Sequence, residues 1–69
     1  MKNNIKRIRS KLGLSRKDLA DALGVTVGAI SNYENGIRFP RPLICSKLIN
    51  LAKHHRLKIS IEDIYPRSA

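Results

Sequence analysis

Tryptophan is missing from this 69-residue chain, which holds one phenylalanine and two tyrosines. So few aromatic rings leave little of the base-stacking surface that reads single-stranded nucleic acid. Cysteine occurs once, at Cys45, so no intrachain disulfide can form; that suits a reducing cytosol. No stretch approaches the ~20 apolar residues that cross a bilayer. No apolar segment follows the basic start Met1–Arg7 either, so neither a membrane span nor a secretory signal is expected. A chain this short buries only roughly 60% of the surface its unfolded form exposes. One small domain over residues 1–69 is therefore expected, with no deep cleft and no enzymatic activity. Apolar residues make up 42%, enough for a core and too many for a disordered basic tail.

Acidic residues are also scarce. Fourteen Lys and Arg face five Asp and Glu, a formal charge of +9. Residues 1–17 hold seven of the cations and no acid, and six more lie between Arg38 and Lys58, again without an acid. Such an excess favours a polyanion, because each neutralised phosphate releases condensed counterions. A solvated basic surface kept for solubility is the bland alternative. Charge alone does not separate DNA, RNA and anionic lipid.

Apolar spacing sets out the elements. Ile5, Ile8 and Leu12 recur at helical intervals, with Asn3 or Asn4 available as N-cap and Gly13 as the stop. Ser15 and Asp18 form an S-x-x-D capping pattern that opens a second helix carrying Leu19, Ala20 and Leu23. Gly24 ends it, and Thr26 caps a third helix over about Val27 to Glu34 that buries Ala29, Ile30 and Tyr33. Asn35-Gly36 closes this helix, with Gly36 free to adopt positive φ. Pro40 and Pro42 mark a loop, and Pro42 suits the first turn of a fourth helix with the stripe Ile44, Leu48, Leu51 and Ala52. The last element is ambiguous. Leu57, Ile59 and Ile61 alternate as in a short strand, whereas Ser60 and Asp63 repeat the capping pattern and favour a short helix ending at Pro66. The fold class expected is all-α, about five short helices.

The informative segment spans about residues 16–35, two short helices joined by Leu23-Gly24-Val25-Thr26. A helix-turn-helix needs a small residue where its helices cross, and Ala20 stands there. It needs tolerance of positive φ in the turn, which Gly24 supplies, and apolar residues under the second helix, here Ile30 and Tyr33. That arrangement holds the second helix proud of the body, so that its first turn can enter a major groove.

Residues 5–65 resemble the lambda-repressor-like domain, the Cro and phage-repressor type of helix-turn-helix. The likeness is carried by Leu12-Gly13-Leu14-Ser15-Arg16 through Leu19-Ala20, by Leu23-Gly24-Val25-Thr26, and by Ile30-Ser31-Asn32-Tyr33-Glu34-Asn35-Gly36. The resemblance implies a compact bundle that binds double-stranded operator DNA as a homodimer and represses by covering a promoter. It makes the third helix the recognition helix, with Val27, Gly28, Ser31 and Asn32 facing bases. Asn32 would pair with adenine, Ser31 is permissive, and Val27 suits a thymine methyl. Gly28 replaces the longer polar side chains often found there, so either backbone approaches DNA closely or no base is read by that side chain. Ser15, Asn35, Arg38 and Arg41 are implied to hold phosphates. Arg16 either reaches a base edge or braces the recognition helix, and Arg9 and Glu34 resemble an internal ion pair.

The remaining candidates read as structural. Cys45 behaves as a small buried apolar group. His54 and His55 are adjacent, diverge on a helix and cannot form a zinc pair at i and i+4. No cofactor, metal or small-molecule ligand is expected, and the expected compartment is the bacterial or phage-infected cytoplasm. Two recognition helices must sit about 34 Å apart to read successive major grooves. The apolar tail, about residues 57–66, suggests Ile59, Ile61 and Ile64 as the subunit contact. Two other readings stand beside this one. The first is an antitoxin repressing its own operon, lowered by the absence of an acidic tail after Pro66. The second is a basic RNA-binding module, lowered by the few aromatics.

Overall fold

The computed structural model describes residues 4–65; Asn3 and Pro66, the alternative first cap and the expected last stop, lie outside them. Five helices follow in order: α1 (Ile5–Leu12), α2 (Arg16–Leu23), α3 (Val27–Glu34), α4 (Pro42–His54) and α5 (Ile61–Ile64). Among the described residues there is no strand, and the fold is a small all-helical bundle. Helices of eight residues are marginal in water by themselves, so the shared core holds them. Ile5, Ile8 and Leu12 of α1, Leu19, Ala20 and Leu23 of α2, and Ile30 and Tyr33 of α3 meet Cys45, Leu48, Ala52 and Ile64 in one buried cluster. Ala29 is only half-buried, at the edge of that cluster.

Caps set where each helix starts. The Asp18 amide donates to Ser15 Oγ at 3.0 Å and the Ser15 amide to Asp18 Oδ2 at 3.2 Å, a complete capping box. The Ala29 amide donates to Thr26 Oγ1 at 3.0 Å, which opens α3. Asn4 stands at the cap position of α1 without capping it. Its side-chain Nδ2 donates instead to the Asp63 carbonyl at 2.9 Å, and its amide to the Ile64 carbonyl at 3.1 Å. The start of α1 is thus tied to α5.

Three helices end in the same way. Beyond α1, the Leu14 amide reaches back to the Arg9 carbonyl; beyond α2, Val25 reaches Ala20; beyond α4, Leu57 reaches Ala52. Each is a Schellman ending, with one residue in the left-handed region just before the reaching amide. Gly13 (φ 70°) and Gly24 (φ 72°) fill that place in α1 and α2, whereas in α4 it is Arg56, at φ 59°. The apolar residue after each, Leu14, Val25 or Leu57, packs against the core.

The strand alternative for the tail is not adopted. A strand must pair its amides with a neighbour, and an all-helical bundle offers none. In α5 the Ser60 amide and hydroxyl both donate to Asp63 Oδ2, at 2.8 and 3.2 Å, and Ile64 is driven into the core.

Candidate nucleic-acid interface

Glu34, the last residue of α3, has its side chain 2% exposed and is bound from two helices. Arg9 of α1 donates from Nε to Oε2 at 2.6 Å, and its Nη1 donates to the Leu14 carbonyl at 3.0 Å. Arg16 of α2 donates from Nε to Oε1 at 3.1 Å. One carboxylate therefore holds the end of α3 beside the start of α2. A buried charge persists only when it is paired and hydrogen-bonded, and two guanidinium groups meet that demand. Arg16 is 45% exposed; its Nε braces α3 while the rest of its fork faces solvent.

Lys47 of α4 supports the turn from behind, with Nζ 3.5 Å from the Leu23 carbonyl at the end of α2. A cation there also suits the helix macrodipole. Ala20 is buried where α2 meets α3, the most extensive helix pairing of the bundle.

On α3, Ile30 and Tyr33 face the core. Val27 and Gly28 are exposed, and Ser31 and Asn32 are half-buried on the side away from them. The Asn32 backbone carbonyl accepts from the Ile37 and Arg38 amides at 2.9 and 3.2 Å, which folds the following loop back along α3. Gly28 has ordinary helical backbone; a Cβ there would meet nothing closer than Thr26 Oγ1 at 3.8 Å. Nothing within the chain demands a glycine at this position.

The loop from Asn35 to Arg41 turns at Gly36 (φ 73°). Arg38 and Arg41 are exposed, and neither forms an ion pair among the described residues. Between them Phe39 packs edge-on against Tyr65, with ring centroids 5.6 Å apart at 66°. Lys17 and Asp21 pair at 3.0 Å on the open face of α2, an exposed contact of small energetic weight.

Residues 5–52 match the helix-turn-helix family. The chain belongs to the lambda-repressor and Cro-like helix-turn-helix family. Membership supports a DNA-binding transcription regulator. No curated protein matches the chain. The matched residues include α2 and α3, the two helices of the helix-turn-helix. Val27, Gly28, Ser31 and Asn32 share one side of α3, and at its far end Glu34 holds Arg16 of α2. Arg41 stands at the cap position of α4, farther along the loop.

The three residues expected at a subunit contact fall in different places. Ile61 is 49% exposed and Ile59 half-buried, but Ile64 is fully buried in the chain's own core. Ile64 has no surface to offer a partner, because α5 needs one apolar anchor and Ile64 is it. Cys45 is buried, with Sγ 3.7 Å from the Pro40 carbonyl, and burial pushes its thiol above the ordinary range. Burial likewise pushes the Tyr65 hydroxyl up to about 12. Among the described residues no three His, Cys, Asp or Glu gather to hold a metal, and no helix is long and apolar enough to cross a membrane.

Three contacts escaped sequence reasoning: Lys47 on Leu23, Asn4 on the tail, and Phe39 on Tyr65. Each joins residues far apart in sequence, and neither spacing nor composition signals such pairs. The one hint was that two of the chain's three aromatic residues flank the loop and the tail.

Proposed function

We propose that the chain is a sequence-specific transcriptional repressor of the Cro or phage-repressor kind, binding a palindromic operator as a homodimer. It would act by covering a promoter, in the cytoplasm where bacterial or phage DNA lies. The supporting observation is the division of α3. Its Ile30 and Tyr33 side is committed to the core, while Val27, Gly28, Ser31 and Asn32 on the other side are not. The cations Arg38 and Arg41 follow in the next loop, and neither pairs with an acid among the described residues.

In this reading the Asn32 amide bonds adenine, Ser31 accepts or donates at a base edge, and Val27 meets a thymine methyl. Gly28 lets backbone approach the bases. Ser15, Asn35, Arg38 and Arg41 hold phosphates and fix the register. Ser15 Oγ accepts from the Asp18 amide and the Ser15 amide donates to Asp18 Oδ2, which leaves the hydroxyl hydrogen of Ser15 to donate to a phosphate. Arg16 serves chiefly as the brace of α3, its free guanidinium edge turned toward the DNA backbone. Ile59 and Ile61 form the subunit contact that spaces two recognition helices by about one helical turn of DNA.

The test is a binding titration with genomic fragments, including the DNA flanking the gene, at two salt concentrations with random-duplex competitor. Selective binding to an inverted repeat that survives the higher salt is expected. Unselective binding that vanishes with salt would refute the operator reading and favour the RNA or toxin-partner alternatives. For the dimer, Ile61→Asp is expected to sediment as a monomer and to lose operator affinity. A variant that still pairs like wild type removes Ile61 from the interface.

A further inference from the structure

The segment after α4 lies beyond the residues matched to the family, which end at 52, and it makes contacts at both ends. At the end of α5, the Asp63 and Ile64 carbonyls are gripped by Asn4, and Ile64 is fully buried. One residue on, the Tyr65 ring meets Phe39. Tyr65 is therefore held by a neighbour that cannot leave the core. Phe39 has a weaker seat: it is 51% exposed, in a loop without regular structure. The loop is attached on either side of it, by the Ile37 and Arg38 amides on Asn32 and by buried Pro40 against Cys45. At Phe39 itself the edge-to-face pair with Tyr65 adds a restraint.

The Tyr65 hydroxyl is buried and finds no hydrogen-bond partner among the described residues. Burying a hydroxyl unpaired is unfavourable, so the ring's packing holds the side chain in place despite its oxygen. Edge-to-face pairing adds to the area such rings bury. Arg38 and Arg41, neither paired with an acid among the described residues, lie one and two residues from Phe39.

We propose that Tyr65 is a positioning residue for DNA binding: through Phe39 it sets the α3–α4 loop so that Arg38 and Arg41 meet the phosphate backbone. This rests on the reading of Arg38 and Arg41 as phosphate contacts. The tail is then part of the binding apparatus without touching DNA. An arginine on a loose loop must be ordered when it binds, whereas one on a preset loop has already lost that freedom.

Full-length Tyr65→Phe, Tyr65→Leu, Phe39→Ala and the Phe39→Ala/Tyr65→Leu double variant test this by two readouts. One is amide hydrogen exchange at Ile37 and Arg38 in the free protein. The other is affinity for a short duplex across a salt series. Tyr65→Phe keeps the ring and is expected to match wild type in both. Tyr65→Leu and Phe39→Ala are expected to exchange several-fold faster at the loop amides. They should also bind all duplexes roughly fivefold to tenfold more weakly, with a salt slope smaller by about 1 to 2. The double variant should be no worse than either single one, because both remove the same contact. Folded single variants with wild-type exchange and wild-type salt slope overturn the proposal, as do fully additive losses. If Tyr65→Leu does not fold, Phe39→Ala decides, since its ring is half in solvent. If wild type itself binds no duplex, the DNA reading of the preceding section fails. The exchange rates then still decide whether Tyr65 sets the loop.

Discussion

Arg9 Nε lies 2.6 Å from Glu34 Oε2 and joins α1 to α3, while Arg16 holds the other oxygen of the same carboxylate. Three helices are thus referenced to one buried group at the end of α3. Removing the carboxylate leaves Arg9, 15% exposed, with a largely buried charge and no counterion. Glu34→Ala is expected to cost about 3 kcal/mol, lowering the melting temperature by more than about 10 °C. Thermal unfolding followed by circular dichroism measures it. A loss no larger than that of the exposed Lys17–Asp21 pair would mean that the network contributes little.

In the proposed reading Asn32 meets a base and Arg38 a phosphate. Asn32→Ala should lose roughly 1–3 kcal/mol on the cognate operator and little on random duplex. Arg38→Ala should weaken every duplex alike and reduce the salt slope by about 1. Competition titrations on both DNAs at several salt concentrations distinguish these patterns. Equal weakening of Asn32→Ala on random DNA would take base reading away from that residue.

Gly28 is not required by the chain, since its backbone is helical and the space for a Cβ is open. Gly28→Ala should therefore stabilise α3 by about 0.5–1 kcal/mol. If backbone approaches DNA at this turn, the same methyl group should weaken operator binding. Chemical denaturation and operator titration of one variant check both expectations. A variant that is more stable and binds as well as wild type would show that DNA does not come close there.

Arg56 occupies, at φ 59°, the left-handed position that glycine fills after α1 and α2. Arg56→Gly should relieve that strain and raise stability by about 1 kcal/mol, less what glycine returns to the unfolded chain as entropy. A urea midpoint that does not rise would show that packing of the arginine stem compensates.

Hydrogen bonds from the Ser15 backbone and side chain hold the Asp18 carboxyl below its ordinary range. The folded form thus prefers the carboxylate, so the box stabilises α2 above the ordinary carboxylate pKa of about 4. That stabilisation is lost as pH falls through the lowered value. Wild type should therefore lose more stability than Asp18→Asn between about pH 5 and pH 3. Parallel melting curves of the two proteins would reject the box as the source.

Much of this fold could be read from local pattern. Ile5, Ile8 and Leu12, or Leu19, Ala20 and Leu23, recur at the helical period, and Ser15, Thr26, Gly13 and Gly24 mark ends by chemistry that acts within four residues. The helix-turn-helix is such a local object, so its two helices, its turn and the outward side of α3 were all legible. Contacts between distant segments were not. Asn4 looks like a cap until the tail arrives to take its amide group. Ile64 looks like spare apolar surface until the bundle closes over it. Arg16 stands eighteen residues before Glu34, and only the fold brings the two within 3.1 Å. Local periodicity is written in consecutive residues. The partner of a polar group or an aromatic ring depends on which segments the core brings together, and only the closed bundle settles that.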